Sequence, residues 1–194
     1  MEVAVGPASN ASVDMAPVLA AAARGDERAW RCVVDAYAKR VFTLARSRFG
    51  SAEAAEEITQ SVFVTIATKI RAGEYDDQGK FEPWLFRVAM NRIRDEARRA
   101  KRQAAPTEPE AMAGLAGRAA DDGDAEALGR LRRAMERLTE SDREIIELRH
   151  HAGMSFKEMA DLLAEPMGTL LARHHRALRK LKEFMEERLR STEA

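Results

Sequence analysis

The chain reads as all-α, two small helical domains joined by a flexible acidic linker, and three observations point that way. Ala, Leu, Glu and Arg dominate its 194 residues, while Gly 11 and Pro 6 stay modest, a composition that favours helix. Apolar residues recur at helical spacing along several separate stretches. Residues 103–125, QAAPTEPEAMAGLAGRAADDGDA, break that pattern with two prolines, three glycines and repeated acids. Such a stretch has no apolar face to bury and reads as a tether. The length suits one ordinary domain or two small ones, at ~100–200 residues each.

The elements follow in order. Residues 1–17 are small, polar and aperiodic, and read as a disordered tail. The first domain spans 18–102. From Trp30 a stripe of Val33, Val34, Tyr37, Val41, Leu44 and Ala45 predicts a helix, which Gly50 interrupts. A second helix is expected from Ala52 to Ile70, with Ile58, Val62, Ile66 and Ile70 on one side. RAGEYDDQGK is a loop by its Gly and Asp content. A third helix, Phe81 to Lys101, buries Leu85, Val88, Ala89 and Ile93.

The second domain spans 126–190. Ser141 and Glu144 fit a capping box opening a helix that runs to His151, with Gly153 placed to end it. Ser155 and Glu158 repeat the box for a short helix, Phe156 to Leu163. After a turn at Glu165–Pro166, a long helix carries Leu170, Ala177, Leu178, Leu181 and Met185 on one face.

Several function classes fall away. No stretch reaches the ~18–20 uncharged apolar residues of a membrane span, and MEVAVGPASNASVDMAP lacks the form of a secretory signal. A lone Cys32 builds no internal disulfide, in keeping with a reducing cytoplasm, and beside the apolar stripe it is expected to be a packed thiol. His150–His151 and His174–His175 are adjacent pairs without metal-site spacing. Neither GxxxxGK[ST] nor GxSxG occurs. No enzyme, cofactor or metal site is expected.

The net charge of zero hides segregation. Residues 24–102 hold 17 basic and 12 acidic side chains, 103–127 hold one and six, and 128–194 hold 14 and 12. Local charge therefore governs partner choice. SFKEMADLLAEPMGTLLARHHRALRKLK has the form of a helix-turn-helix, with Ala160 at the tight crossing. Such a motif lays the start of its second helix in the DNA major groove. Gly168 to Lys182 contains five basic residues and no acid, and Thr169, Ala172, Arg173, Arg176 and Lys180 share the face opposite the apolar stripe. Arginine pairs bidentately with guanine, while other cations neutralise phosphate. A solvated basic hairpin is the plainer alternative.

RVAMNRIRDEARRAKR is the other basic element, with Asn91, Arg94, Asp95, Arg98 and Arg102 on one face. Intrahelical pairing of Asp95 with Arg98 or Arg99, at ~0.2–0.5 kcal/mol per pair, is the plainer alternative, and it can hold together with DNA contact. Glu53, Glu56 and Glu57 open the second helix, where acids suit the helix dipole, and Gln60 and Phe63 extend a partly polar surface.

SAEAAEEITQSVFVTIATKI followed by FEPWLFRVAMNRIRDEARR resembles region 2 of the bacterial sigma-70 family. LRRAMERLTESDREIIELRHHAGMSFKEMADLLAEPMGTLLARHHRALRKL resembles region 4. The two joined directly, without region 3, are similar to the extracytoplasmic-function (ECF) sigma factors, over roughly residues 18–189. The resemblance implies binding to core RNA polymerase, promoter targeting and help in melting. It assigns Glu56, Glu57, Gln60 and Phe63 to the β′ clamp helices. Lys80, Phe81, Asn91, Arg94, Asp95 and Arg98 fall to the −10 element, with Glu74 to Phe81 as the loop that holds an extruded base. Gly168, Thr169, Arg173, Arg176 and Lys180 fall to the −35 element. The implied partners are core polymerase through its β′ clamp helices and β subunit, promoter DNA, and an anti-sigma factor. The acidic tether would thread near the RNA exit path, and 23 residues reach ~75–80 Å at most.

This chain departs from the family pattern within the helix-turn-helix. Glu165 and Pro166 replace the usual Ile-Ser turn, Ala164 stands where Gly is common, Leu171 replaces a frequent basic residue, and His174 replaces Leu on the apolar stripe. His174 is read as a partly buried structural histidine. Two rival readings stay open: an operator-binding regulator that never joins polymerase, and a sigma-like decoy for an anti-sigma protein. Co-purification with core polymerase separates all three.

Overall fold

A computed structural model describes residues 15–76, 78–103 and 122–192, with backbone alone at 103, 122–125 and 188–192. Among these residues there are helices and no strand. The chain divides into two units, Met1–Arg98 and Arg99–Ala194.

The first unit holds α1 (Met15–Ala23), α2 (Glu27–Phe49), α3 (Ala52–Arg71) and most of α4 (Phe81–Gln103). Asp26 caps α2 by accepting the amides of Arg28 and Ala29, and Gly50 ends it at φ 69° with its N–H on the Arg46 carbonyl. Left-handed backbone is open to glycine at little cost. Ser51 then caps α3 through the Ala54 amide, so the break at Gly50–Ser51 closes one helix and opens the next. The core is a seam of Val33, Val41, Leu44, Ile58, Val62, Ile66, Leu85, Phe86, Ala89 and Ile93. Arg40 of α2 pairs with Glu82 of α4 and lies 4.8 Å from the Phe86 ring centroid.

Three boundary or packing expectations change. Residues 15–17 belong to α1, which packs Leu19 and Ala22 against α2 and α3; the stretch is too short and Ala-rich to show periodicity. Val34 is exposed at 38%, because α2 buries Val33 and turns Val34 away from the seam. Cys32 is exposed, one step off the buried row. The disordered tail expected over 1–17 lies, for residues 1–14, outside the described residues.

The second unit holds α5 (Asp122–Glu136), α6 (Glu140–His150), α7 (Phe156–Leu163) and α8 (Met167–Thr192). The expected tether narrows, since α4 runs to Gln103 and α5 begins at Asp122; residues 104–121 lie outside the described residues. α6 opens at Thr139, whose hydroxyl accepts the Asp142 amide. The Ser141–Glu144 pattern is thus not the cap: Ser141 is inside the helix, and the first capping residue after buried Leu138 takes the role. The Ser155–Glu158 box forms as expected, both ways. α8 packs on α5, α6 and α7 through Leu170, Ala177 and Leu181, whereas Leu178 is exposed at 36% rather than on the stripe.

Phe86 is fully buried, and truncating such a ring costs ~3–5 kcal/mol. Both tryptophans, Trp30 and Trp84, lie in the first unit. Phe86→Ala should therefore lower the urea midpoint read by tryptophan fluorescence; an unmoved midpoint would contradict the seam described above.

Candidate functional site

Three surfaces gather the residues singled out by sequence. The first is a groove of about 450 Å³ between α2 and α3, lined by Val34, Ala38, Lys39 and Phe42 on one side and Glu56, Thr59, Gln60 and Phe63 on the other. Glu56, Glu57 and Gln60 are exposed and Phe63 half-buried. The groove brings Glu56, Gln60 and Phe63 together and leaves Glu57 outside its lining. Sequence reading missed Phe42, and placed Val34 in the core. The available signal was an apolar stripe on α2 wider than one core face needs.

The second surface is the loop before α4 and the polar face of α4. Tyr75 lies 4.3 Å from Trp84 and 5.7 Å from Phe81, centroid to centroid. Phe81 also meets Tyr37 of α2 at 5.5 Å. Phe81 is only 3% exposed, and its ring anchors the loop to the core. Tyr75 and Trp84, each half-buried, are the aromatic rings that sequence reading did not select. Lys80, Asn91, Asp95 and Arg98 are exposed and Arg94 is partly so. Arg94 Nη1 donates to Asn91 Oδ1 at 3.3 Å, and Arg98 pairs with Asp95 at 2.6 Å. The intrahelical pairs thus form on a face that stays open to solvent, where each is worth little.

The third surface is the helix-turn-helix of α7 and α8. Its turn is tight: Ala164 sits in the left-handed region at φ 55°, ψ 39°, a conformation costly for a residue with a Cβ. The Pro166 carbonyl accepts the amides of Thr169 and Leu170 and starts α8. Gly168 and Thr169 are exposed in that first turn, and a Cβ at Gly168 would meet nothing within 4 Å. The fold itself therefore does not require glycine there.

The basic residues of α8 are not alike. Arg173 is held by Glu165, Nη1 on Oε1 at 2.9 Å and Nη2 on Oε2 at 2.5 Å. Lys180 reaches across to Asp142 of α6 at 2.6 Å. Burial opposes the Asp142 charge, but the Lys180 ammonium, the Thr139 hydroxyl and nearby Arg173 outweigh it and hold the carboxyl below its usual range. Hydrogen bonding to Glu165 raises the Arg173 guanidinium against some burial, with Asp142 and Glu144 adding to the effect. Arg176 is exposed.

His174 does more than fill a core position. Its Nε2 lies 3.0 Å from Nε2 of His150 on α6, with ring centroids 5.2 Å apart and planes 21° from parallel. The rings therefore meet nitrogen to nitrogen rather than face to face, and Phe156 packs edge-on to His174. One ring must donate and the other accept, so the pair tolerates at most one added proton. Burial, then Arg149, pushes His150 below the usual histidine range; burial, then His150, does the same for His151 and His174. Among the described residues no three His, Cys, Asp or Glu side chains are grouped to hold a metal.

With these surfaces in place, the relationships to known proteins are direct. Residues 33–103 match the family model of sigma-70 region 2, and residues 134–183 match sigma-70, region 4. The chain is 32% identical over 174 residues to the ECF RNA polymerase sigma factor SigD of Mycobacterium tuberculosis (strain ATCC 25618 / H37Rv), covering 86% of this chain and 81% of that protein. It is 33% identical over 134 residues to the RNA polymerase sigma factor CarQ of Myxococcus xanthus, covering 69% and 75%. The structure of CnrH in complex with the cytosolic domain of CnrY aligns with a TM-score of 0.66 at 25% identity, over 88% of this chain and 96% of that one. RpoE of Bartonella quintana, solved with the anti-sigma factor NepR, shares the fold at TM-score 0.61 and 21% identity, over 80% and 96%. The chain belongs to the sigma-70 family, with ECF sigma factors among its relatives.

A pH dependence follows from the histidines. Their folded-state affinities for protons are lowered, so the unfolded chain takes up protons first, near pH 6.5. Their stabilisation is complete above that pH and is lost as pH falls below it. The thermal midpoint of the full chain, read by helical circular dichroism, should drop between pH 7 and 5, and His174→Leu should flatten that slope. An unchanged slope in the variant would show that the His150–His174 pair contributes nothing to it.

Proposed function

We propose that the protein is an ECF-type sigma factor, binding core RNA polymerase, directing it to specific promoters and assisting melting of the start region. The observation that carries this reading is the open apolar groove between α2 and α3 beside an exposed polar α4 face. An operator-binding regulator needs the helix-turn-helix but has no use for that groove, and a decoy needs no base-holding loop. Partly apolar exposed grooves of this kind mark protein docking sites.

In this reading the β′ clamp helices occupy the groove. Apolar contact comes from Val34, Phe42 and Phe63, while Glu56, Glu57 and Gln60 supply polar orientation. The loop over Glu74–Lys80 captures a base of the non-template strand, with Tyr75 and Trp84 as its aromatic wall and Asn91, Arg94, Asp95 and Arg98 along the strand. Lost stacking costs about 1.4 kcal/mol per step, and an extruded base a few kcal/mol. Contacts made only to single-stranded DNA offset that cost, so melting proceeds by differential binding without nucleotide hydrolysis. Gly168, Thr169, Arg173 and Arg176 meet the −35 groove; the open space at Gly168 suits close approach of a DNA backbone. Lys180 steadies α8 on α6 through Asp142. The β subunit and an anti-sigma protein complete the set of partners, and the site of action is the cytoplasm.

Transcription reconstituted with core polymerase on genomic templates tests the reading: start sites should appear only with the protein present, and their absence would end it. Phe42→Asp places a charge in the groove and should weaken core binding at least ~10-fold, the equivalent of 1.4 kcal/mol, without changing the helical spectrum. Arg173→Ala should reduce use of intact promoters more than binding to premelted DNA. Equal losses on both templates would remove Arg173 from upstream recognition.

A further inference from the structure

The turn of the helix-turn-helix carries an acid where its family pattern has an apolar residue, and that acid is not idle. Glu165 grips Arg173 through both carboxylate oxygens, at 2.9 and 2.5 Å. Both side chains are partly buried, 21% exposed for Arg173 and 32% for Glu165. The left-handed backbone at Ala164 and the Pro166-capped start of α8 hold Glu165, eight residues before Arg173, below the arginine at the foot of the helix. Fork-to-fork pairs of this kind are strong and directional.

The atoms used matter. A guanidinium has five N–H donors in a rigid plane. Glu165 takes one hydrogen from Nη1 and one from Nη2, which is the end of the fork. Left over on the side of the plane are Nε–H and the second hydrogen of Nη2, a complete two-donor edge. That edge matches the two acceptors of guanine, O6 and N7, in the major groove. Meanwhile the carboxylate neutralises the charge that would draw a free arginine to any phosphate.

Resting on the sigma-factor reading above, we propose that Glu165 is a positioning residue that sets promoter specificity: it fixes Arg173 so that its Nε–Nη2 edge reads one guanine of the upstream element, and withholds it from the phosphate backbone. Leu171, exposed at 37% in the same turn, brings no cation to replace that lost charge. The result is a recognition helix with less general attraction to DNA than its five cations would give, and a sharp preference at one base pair.

The test uses the full chain with core polymerase, a promoter library randomised across the upstream element, and a mixed-sequence duplex as the non-specific probe. Wild type should prefer guanine at one position by roughly 5- to 150-fold, the range of one bidentate contact. Glu165→Gln and Glu165→Ala should cut that preference to below about 3-fold. They should also tighten binding to the mixed-sequence duplex and steepen its salt dependence, by about 0.9 in log–log slope for one added phosphate contact. Arg173→Lys keeps the charge without a two-donor edge and should lose the same preference. If the Glu165 variants change only the melting temperature and leave the base preference intact, the inference is overturned while the sigma reading stands. If wild type shows no upstream preference at all, the DNA-binding reading of the second unit falls, and the inference with it.

Discussion

The seam shared by α2, α3 and α4 has few side chains with which to hold three long helices, and every one of them is spent inward. Val33, Leu44, Ile58, Ile66, Leu85 and Phe86 are buried almost without remainder, and their spacing dictates which way each helix must face. Once they are committed, Val34 and Phe42 on α2 and Phe63 on α3 lie off the seam yet remain apolar, bordering the same groove. Apolar surface left at the rim of a small domain favours a partner that will cover it. The polar face of α4 is set by the same rotation, since burying Leu85, Ala89 and Ile93 leaves Asn91, Asp95 and Arg98 outside. Packing in the core thus decides the placement of both the groove and the polar strand of residues.

The second unit manages its charges differently. Three acids of α6, Asp142, Glu144 and Glu147, are buried, a costly arrangement unless each is paired. Arg143 meets Glu147 at 2.7 Å and Lys180 meets Asp142 at 2.6 Å. Those pairings engage cations that a linear count of basic residues would treat as unpartnered, although Lys180 stays 43% exposed. Arg149 likewise bonds the Met154 carbonyl at 2.9 Å instead of facing solvent. Charge census and usable charge diverge for this reason.

The unusual residues around the turn cohere physically. Ala164 accepts left-handed backbone, Glu165 engages Arg173, and His174 exchanges an apolar contact for a hydrogen bond with His150. At Glu165 and His174 an apolar residue of the family pattern gives way to a directed polar contact made by α8. Directed contacts resist rotation of a helix about its axis better than interchangeable methyl groups do, which suits an element that must present one face to DNA.

The linear order of residues already determined the all-helical class, the division into two modules, the breaks at Gly50 and Gly153, the Ser155–Glu158 cap and the family, because periodicity, caps and motifs are local and act within a few turns. It also singled out Glu56, Gln60, Phe63, Asn91 and Arg173. What it did not reveal needed a third dimension. The cap at Thr139 beat Ser141 because helix starts compete by context, and α1 lacked a readable stripe because nine Ala-rich residues make little pattern. Phe81 packs into the core, Val34 borders the groove rather than the core, and Lys180 pairs with Asp142, through contacts between residues 38 to 44 positions apart or by rotation of a helix about its own axis. Only folding sets which of several chemically able side chains find a partner inside the protein first, and those left over are what another molecule can bind.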